Sequence, residues 1–291
     1  MKLSEINFRD PFILATEGMY YMYGTTVFHG NAQNFVCYKS PDLENWEGPI
    51  EIFRRSEDFW ADRCYWAPEC YAHNGQYYFL TTMGSDSRKK GIQVMTCTRP
   101  DGIFTPLGDG PVTPEGWTCI DGTLYWEDGK PWLVFSRSFE DGEESTICAM
   151  PMSDDLSQPD GEIVTLFAAK DAPWACPCPW AEAEFGLEGE IYLSDGPCLY
   201  RTSGDDLLMI WSSWGQGGYT VGVARSVSGR LAGPWEQQEV PLFREGGHGM
   251  IFTDREGRKF YVLHSPNEPS TERPRLYELL ENGHTLVLKG V

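Results

Sequence analysis

An all-β fold is predicted for this chain of 291 residues, because long amphipathic helical patterns are scarce and one plan repeats along the sequence. Short runs of aromatic and β-branched residues are separated by Gly, Asp-Gly and Asn-Gly turns, which is typical of strands joined by hairpins. Five segments share the plan: a signature with Pro or Gly, a strand, a turn, an aromatic-rich strand and a third strand. Units of some 50 residues with three or four strands predict a five-bladed β-propeller.

The five segments follow one another and cover nearly the whole chain. Their openings read "RDPFILATEGMYYMYGTT", "WAPECYAHNGQYYFLTTMG", "IDGTLYWEDGKPWLVFSRS", "SDGPCLYRTSGDDLLMIWSSW" and "GHGMIFTDREGRKFYVLHSPN". With Asp10, Pro68, Asp121, Asp195 and His248 as markers, the intervals are 58, 53, 74 and 53 residues. The long interval predicts an insertion within 168–190. Since no linker is visible, residues 1–291 are expected to form a single propeller domain.

The charge and composition restrict the partners. The net charge is −20, from 23 Lys and Arg against 43 Asp and Glu. A surface this acidic repels phosphate groups, so neither nucleic acid nor an anionic membrane is an expected partner. Binding of a neutral oligosaccharide is unaffected by this charge. Aromatic residues make up 14% of the chain, which fits both stacked sheets and sugar binding. No apolar run is long enough to predict a membrane-spanning helix.

The nine cysteines are scattered along the chain without the spacing of a zinc site. The closest pair, Cys176 and Cys178 in "CPCP", does not have the CxxC spacing, so neither a metal nor a redox site is expected there. The N-terminal "MKLSEINFRD" lacks the apolar centre of a signal peptide. Unpaired cysteines and the lack of an export signal together predict a cytoplasmic location.

Three acids open repeats: Asp10, Asp121 and Asp195 stand at positions that the alignment makes equivalent in the first, third and fourth blades. The first strand of a propeller blade lines the central channel, so these carboxylates are expected to meet at one end of the axis. Turn chemistry explains a single Asp-Pro or Asp-Gly, but it does not require three acids in this arrangement. Like charges in one cavity push their pKa values apart, which suits glycoside hydrolysis by an acid and a base.

Five motifs carry a family resemblance, namely "FRDPFI", "WAPE" at 66–69, "IDGTLYWEDGKPWLVFS" at 120–136, "SDGPCLYR" at 194–201 and "GGHGMIF" at 246–252. In this order and spacing the chain resembles glycoside hydrolase family 43, the five-bladed propeller group of β-xylosidases, α-L-arabinofuranosidases and arabinanases. The resemblance implies an inverting hydrolase. It also implies that Asp10 is the general base, that Asp121 orients the general acid and tunes its pKa, and that Asp195 is the general acid.

One departure from the family pattern concerns the general acid. The family acid is usually a glutamate in an E-G-P motif, whereas this chain has "SDGP", and aspartate is one methylene shorter. Glu182 and Glu184 in "WAEAEFG" therefore stay open as alternatives. We favour Asp195 because rigid strand ends position catalytic groups better than loops do. The negative charge of Asp121 is expected to raise the pKa of Asp195.

The resemblance also implies roles outside the three acids. His248 matches an axial histidine that lies near a cation or a water molecule in the channel. No cofactor is expected to be required, and a structural Ca²⁺ in the central channel, held by His248 through water, stays open. Arg273, in "ERPRL", matches a substrate-contacting arginine of the fifth blade. Two further residues are candidates for substrate contact. Trp66 is either a sugar platform or a core residue, and His29 lies in a loop at the mouth.

Three functions are compared. The leading one is exo-acting hydrolysis of terminal α-L-arabinofuranosyl or β-D-xylosyl residues from plant-derived oligosaccharides, because no carbohydrate-binding module is visible and a cytoplasmic enzyme meets short imported substrates. A retaining fructosidase would carry an N-terminal motif like W-M-N-D-P-N, which "FRDPFI" is not. The third is a propeller that binds sugars or proteins without catalysis, and the Glu-to-Asp departure supports it.

Overall fold

The computed structural model describes residues 1–26, 28–29 and 34–291. These residues form five antiparallel sheets, each of consecutive strands. Blade one consists of β1 (Arg9–Ala15), β2 (Tyr20–Thr25), β3 (Asn34–Ser40) and β4 (Glu47–Arg54). Blade two consists of β5 (Arg63–His73), β6 (Gln76–Gly84), β7 (Gly91–Cys97) and β8 (Thr105–Pro106). Blade three consists of β9 (Cys119–Glu127), β10 (Lys130–Arg137), β11 (Thr146–Pro151) and β12 (Val164–Ala168).

The last two blades follow a longer connection. Blade four consists of β13 (Asp195–Arg201), β14 (Leu207–Gly215), β15 (Gly218–Ser226), β16 (Trp235–Gln237) and β17 (Phe243–Arg244). Both β16 and β17 pair with β15. Blade five consists of β18 (Gly247–Thr253), β19 (Lys259–Ser265), β20 (Arg273–Asn282) and β21 (Thr285–Leu288).

The first strands of the five blades form a closed ring around the axis. β1 contacts β5, β5 contacts β9, β9 contacts β13, β13 contacts β18, and β18 contacts β1. Within each blade the later strands pair outward in chain order. The five-bladed propeller predicted from the repeats is therefore confirmed.

Helical structure in the described residues is limited to short segments. Single 3₁₀ turns lie at Leu3–Glu5, Phe139–Asp141 and Ala169–Asp171, and the α-helix α1 covers Ala181–Phe185. The third 3₁₀ turn and α1 lie between β12 and β13, where the long repeat interval predicted an insertion. Among the described helices, none has the length and apolar character needed to cross a membrane.

Large apolar side chains fill the spaces between neighbouring blades. Phe79 belongs to a buried cluster that joins blades one, two, four and five, Leu133 to one between blades two and three, and Trp211 to one between blades three and four. Burial of this kind stabilises the propeller at roughly 25 cal/mol per Å² of apolar surface removed from water. Against this background, the buried Asp10, Asp121 and His248 stand out as charged groups near the axis.

Each inner strand is irregular where it approaches the end of the axis. The pairing register with the second strand shifts or skips a residue there in every blade. One residue at such an irregularity in each blade has a positive φ, and we call these five the bulge residues: Asp10 (52°), Ala67 (46°), Asp121 (59°), Gly196 (52°) and His248 (44°). Blade two has a second irregularity, at Cys64 (57°). A β-bulge re-aims a side chain, and positive φ is uncommon for any residue but glycine, so its repetition marks a constructed feature.

Two of the markers used to align the repeats are wrong by one residue. The bulge residue of blade two is Ala67 rather than Pro68, and that of blade four is Gly196 rather than Asp195. Asp195 occupies the position before the bulge and pairs with Ser212 on the second strand. The equivalent pre-bulge residues of the other blades are Arg9, Trp66, Ile120 and Gly247.

The backbone N–H of each bulge residue is tied to a neighbouring blade. In four blades it donates to a side chain on the second strand of the preceding blade, with the pairs Ala67–Thr25, Asp121–Thr82, His248–Ser212 and Asp10–His264. Gly196 differs, because its N–H donates to Oδ2 of Asp121 at 3.1 Å. The hydroxyl of Ser136, which holds the equivalent place on β10, is buried without a hydrogen-bond partner in the described residues.

Candidate active site

The three predicted acids and His248 meet at one end of the axis. Nδ1 of His248 lies 2.9 Å from Oδ1 of Asp195, 3.4 Å from Oδ1 of Asp10 and 3.8 Å from Oδ2 of Asp121. Asp10, Asp121 and His248 are buried, and the side chain of Asp195 is 16% exposed. The structure therefore brings together the residues that the repeats placed at the strand starts.

Glycine at 196 makes room for the imidazole of His248. A Cβ added to Gly196 would lie 2.8 Å from Cγ and Cδ2 of His248, closer than side-chain carbons approach. The φ of 52° at this residue is also one that glycine adopts without strain. The "DGP" sequence thus supplies a carboxylate from Asp195 and then an open space into which the histidine of the next blade fits.

Each carboxylate has its own hydrogen-bond donors. Thr25 donates its hydroxyl to Oδ2 of Asp10 at 2.7 Å, and Tyr219 donates its phenol to Oδ2 of Asp195 at 2.6 Å. Asp121 accepts the N–H of Gly196. The hydrogen bond from Tyr219 favours the ionised form of Asp195 and so lowers its pKa.

The three carboxylates set the charge of His248. Burial alone would lower the pKa of His248, but Asp10, Asp121 and Asp195 outweigh it and raise that pKa to about 10. The imidazole is therefore protonated at neutral pH and provides a positive charge among the acids. Burying a positive charge within reach of three carboxylates reduces the cost that each group would pay alone.

Asp121 and Asp195 form a coupled pair with opposite pKa shifts. Burial, together with the charge of Asp195, raises the pKa of Asp121 well above its usual range. Burial would raise the pKa of Asp195 too, but hydrogen bonds from Asp121, His248 and Tyr219 hold it below its usual range. The expectation that Asp121 raises the pKa of Asp195 is therefore wrong for this arrangement. One proton is shared by the two carboxyl groups and lies on Asp121, so the pair titrates as a unit.

A cavity of about 620 Å³ lies over these groups and has aromatic walls on both sides. On one side the rings of Phe28 and Trp66 stack with centroids 5.1 Å apart. The guanidinium of Arg9 lies over Phe28 at 4.2 Å, and the ammonium of Lys90 lies over Trp66 at 4.8 Å. The opposite wall, from blades three and four and the insertion, contains Phe139, Trp180, Phe185 and Trp214.

Two of the predicted substrate contacts line this cavity. Trp66 does so while its Nε1–H donates to the carbonyl oxygen of Phe28 at 2.9 Å, so one ring edge is fixed. His29 is exposed at the mouth. Arg273 is not among the described lining residues, because its guanidinium donates to the backbone carbonyl oxygens of Ser4, Ser270 and Glu272. The structure therefore corrects the placement of Arg273 in the substrate site.

Glu182 and Glu184, the alternatives to Asp195 as general acid, differ in whether they line the cavity. Glu184, on α1, lines it, whereas Glu182 is not among the described lining residues. Another carboxylate of the wall, Glu140, forms an ion pair with Lys90 at 2.6 Å. Glu184 and Asp195 are thus the two candidate acids that reach the cavity without a lysine partner.

Four further residues of the site were not singled out from the sequence. Arg9 lines the cavity and bonds Asn267 and Glu272, each at 3.0 Å from Nη1. Tyr219 holds Asp195, and His264 holds the backbone of Asp10. Arg9 stands beside Asp10 in "FRDPFI", so the motif itself contained a signal. Tyr219, His264 and Asn267 are identified only by the register of the strands and loops that carry them.

Asp121, Asp195 and His248 can each offer one ligand atom within 4.8 Å of the others, so we tested whether these residues suit a metal ion. Ca²⁺ takes six to eight oxygen ligands, and a histidine must be neutral to bind a metal directly. His248 is instead held in its protonated form by the three carboxylates. The donor set fits a buried imidazolium better than a directly bound Ca²⁺.

Comparison with known proteins places this geometry in a family. Residues 4–284 match the model of glycosyl hydrolases family 43. The crystal structure of an endo-arabinase from Bacteroides thetaiotaomicron is 34% identical and superposes with a TM-score of 0.89, covering 97% of this chain and 98% of that one. An endo-1,4-beta-xylanase from the same organism is 26% identical, with a TM-score of 0.76 over 98% of this chain and 94% of that one.

A curated relative has a defined activity of its own. The extracellular exo-α-(1→5)-L-arabinofuranosidase ArbA of Cellvibrio japonicus is 22% identical over 288 residues, which cover 89% of this chain and 74% of that protein.

Proposed function

Because this chain belongs to glycosyl hydrolase family 43, we propose that it releases terminal α-L-arabinofuranosyl residues from short plant-derived oligosaccharides. The protein is an inverting glycoside hydrolase. The observation that carries the finer proposal is the cavity of about 620 Å³, with the carboxylates at its base and aromatic walls on two sides. A pocket of this form suits the end of a sugar chain, and its polar groups fix the orientation of a single residue.

The choice of arabinose rests on the relatives. An endo-arabinase at 34% identity and an exo-α-(1→5)-L-arabinofuranosidase at 22% both act on arabinose polymers or their ends. β-D-xylosyl groups are the second candidate substrate, favoured by the 26% identical endo-1,4-beta-xylanase. Both substrates are neutral, in keeping with a chain whose net charge is −20.

In the proposed mechanism Asp10 is the general base. Its carboxylate takes a proton from a water molecule as that water attacks the anomeric carbon. On the other side of the sugar, the proton held by Asp121 passes to Asp195 along their hydrogen bond, and Asp195 gives it to the glycosidic oxygen as the C–O bond breaks. One proton is taken up and one is released, so the two carboxyl groups end with exchanged charge and the anomeric configuration is inverted.

His248 keeps the carboxylates close together during this exchange. Its imidazolium faces Asp10, Asp121 and Asp195, so it compensates whichever carboxylates are ionised at each stage. We further propose that no step needs a metal ion, because this positive charge already occupies the place between the acids. Dialysis of the enzyme against EDTA should leave kcat unchanged, and a loss of activity that Ca²⁺ restores would contradict this part of the proposal.

A cytoplasmic location is the last part of the proposal. All nine cysteines are free thiols, and this supports a reducing compartment. A cytoplasmic enzyme would act on imported oligosaccharides, in contrast to the extracellular ArbA. Cell fractionation followed by detection of the protein in the soluble or the secreted fraction tests this point.

The activity is tested with matched aryl glycosides. Wild type and Asp10→Asn are assayed on 4-nitrophenyl α-L-arabinofuranoside and on 4-nitrophenyl β-D-xyloside. Hydrolysis of the arabinofuranoside by wild type alone supports the proposal, and preference for the xyloside replaces it with the second candidate. With α-1,5-linked arabinopentaose, early release of arabinose supports exo action, whereas early release of arabinobiose and arabinotriose would refute it. Lack of turnover on every substrate would favour a non-catalytic propeller.

A further inference from the structure

The seam where blade five closes on blade one differs chemically from the other blade junctions. At the equivalent place on the second strands of blades one to four stand Thr25, Thr82, Ser136 and Ser212, which all carry hydroxyl groups. Blade five has His264 there, paired with Gly247. The imidazole therefore replaces a hydroxyl at the junction next to Asp10, the proposed base.

The hydrogen bonds of His264 define its protonation state. The N–H of Asp10 points to Nδ1 of His264 at 3.2 Å, and since a backbone N–H can only donate, Nδ1 must be the acceptor. Nε2 lies 3.0 Å from Oδ1 of Asn267, and an amide oxygen can only accept, so Nε2 carries the hydrogen. The side chain is fully buried, and burial lowers its pKa to about 4, which agrees with a neutral ring.

We infer that His264 is a positioning residue for the proposed base Asp10, acting as the neutral Nε2–H tautomer whose Nδ1 lone pair holds the Asp10 backbone N–H in the bulge. This inference rests on the proposed function, in which Asp10 activates water. His264 is not among the described lining residues of the sugar cavity, and its Nδ1 also lies 3.4 Å from Oδ1 of Asp10, so it faces the base and not the substrate.

The backbone of Asp10 needs such a partner. Its φ of 52° is a strained conformation for aspartate, and the register shift of the bulge leaves its N–H outside the regular ladder of β1 and β2. A buried N–H without an acceptor is destabilising, so the bulge would relax towards a conformation that satisfies it. Such relaxation turns the carboxylate away from the attacking water, and a displacement of about 1 Å costs on the order of 100-fold in rate.

The same imidazole connects the two sides of the site. Through Asn267 it reaches Arg9, which bonds the same amide oxygen at 3.0 Å. Its ring also stacks on that of Tyr219, with centroids 5.6 Å apart and planes 19° apart, and Tyr219 holds Asp195. A variant that removes the hydrogen bond to Asp10 must therefore keep a ring at this position, so that a loss of activity is not due to lost packing.

Two substitutions separate these contributions. His264→Phe keeps a ring against Tyr219 but has no acceptor, and we expect kcat to fall about 10- to 100-fold with KM changed less than about threefold. His264→Asn places an amide oxygen at the position of Nδ1, so we expect kcat within about threefold of wild type. Ser136→Ala is the matched control at the same place in blade three, where the hydroxyl has no partner, and it should leave kcat unchanged.

The pattern across leaving groups identifies the affected step. Poor water activation slows 4-nitrophenyl and 2,4-dinitrophenyl glycosides alike, so both rates should fall together in His264→Phe. All assays are made well below the Tm of each variant, so that loss of folded protein does not enter kcat. Unchanged kcat in His264→Phe, or an equal loss in folded His264→Asn, would overturn the inference.

A structural measurement keeps the inference testable without turnover. In a crystal structure of His264→Phe we expect Asp10 to leave its positive φ or its carboxylate to move away from His248. If Asp10 keeps both, His264 does not position it, whatever the activity. If wild type hydrolyses no glycoside but Asp10 moves in the variant, the proposed function fails while the positioning role stands.

Discussion

Replacement of Asp195 by asparagine tests which residue protonates the leaving group. The change removes the proton-donating carboxyl but keeps its size, and Tyr219 can still donate to the amide oxygen. General acid catalysis contributes about 10²- to 10⁴-fold in rate, equivalent to about 2.7–5.4 kcal/mol of barrier. We expect a loss of this size in kcat/KM for arabino-oligosaccharides, whose alkoxide leaving group requires a proton.

The assay measures how the loss of kcat/KM in Asp195→Asn depends on the leaving group. 2,4-Dinitrophenolate leaves without protonation, so Asp195→Asn should retain 2,4-dinitrophenyl α-L-arabinofuranoside hydrolysis within about tenfold of wild type. Values of kcat/KM are measured for this substrate, the 4-nitrophenyl glycoside and arabinotriose. Asp10→Asn is the comparison, because loss of water activation should depress all three substrates by a similar factor.

Glu184→Gln is the matched control for the acid, since Glu184 is the other carboxylate that reaches the cavity without a lysine partner. It should behave like wild type on all three substrates. If Glu184→Gln shows the leaving-group-dependent loss and Asp195→Asn does not, the assignment of the acid to the Asp121–Asp195 pair is wrong.

Four further substitutions test other parts of the structure. Gly196→Ala places a Cβ 2.8 Å from the His248 ring at a φ of 52°, so we expect a loss of about 1–3 kcal/mol in urea unfolding and a lower kcat. Arg273→Ala should change kcat/KM less than about twofold, whereas Arg9→Ala, in the cavity wall, should raise KM; equal effects would contradict the corrected placement. Burial lowers the pKa of His264 to about 4 in the folded state, below the 6.5 of an unperturbed imidazole, so wild type loses stability as pH falls through this window. His264→Asn has no such titrating group. The difference in unfolding free energy between this variant and wild type should therefore shrink by about 2 kcal/mol between pH 7.5 and 5.

The fold followed from the sequence because its signals are local. Alternating aromatic strands and Gly-containing turns repeat at a near-constant interval, and the one long interval fell where α1 now lies. Asp10, Asp121 and His248 were aligned correctly because each follows a recognisable signature. Their convergence then required only that the first strand of every blade lines the axis.

The remaining details depend on contacts that local sequence does not encode. A bulge moves a side chain by one position, and neither "WAPE" nor "SDGP" shows which residue takes the positive φ, so Pro68 and Asp195 were aligned one residue out. Arg273 was placed by the family resemblance, as a match to a substrate-contacting arginine of the fifth blade, but the backbone carbonyls of Ser4, Ser270 and Glu272 decide where its guanidinium points. The pKa order of Asp121 and Asp195 was reversed because the donors Tyr219 and His248 come from other strands.

The one-residue offset of Asp195 bears on how an aspartate serves where related enzymes use glutamate. The side chain of Asp195, before the bulge, is 16% exposed, against 6% for Asp10 and 5% for Asp121 at the bulge, so the pre-bulge position lies nearer the open cavity. Asp10 and Asp195 also contact the same nitrogen at 3.4 and 2.9 Å, so the two oxygens are separated by no more than the sum of these distances. Inverting enzymes hold their carboxyl groups about 6.5–9.5 Å apart, so the two oxygens that face His248 lie closer together than that range. The missing methylene therefore leaves room that a glutamate would fill, and Asp195→Glu should narrow the space for water and sugar and raise KM rather than increase kcat. A glutamate variant with higher kcat at unchanged KM would show instead that the acid of this enzyme is held too far from its substrate.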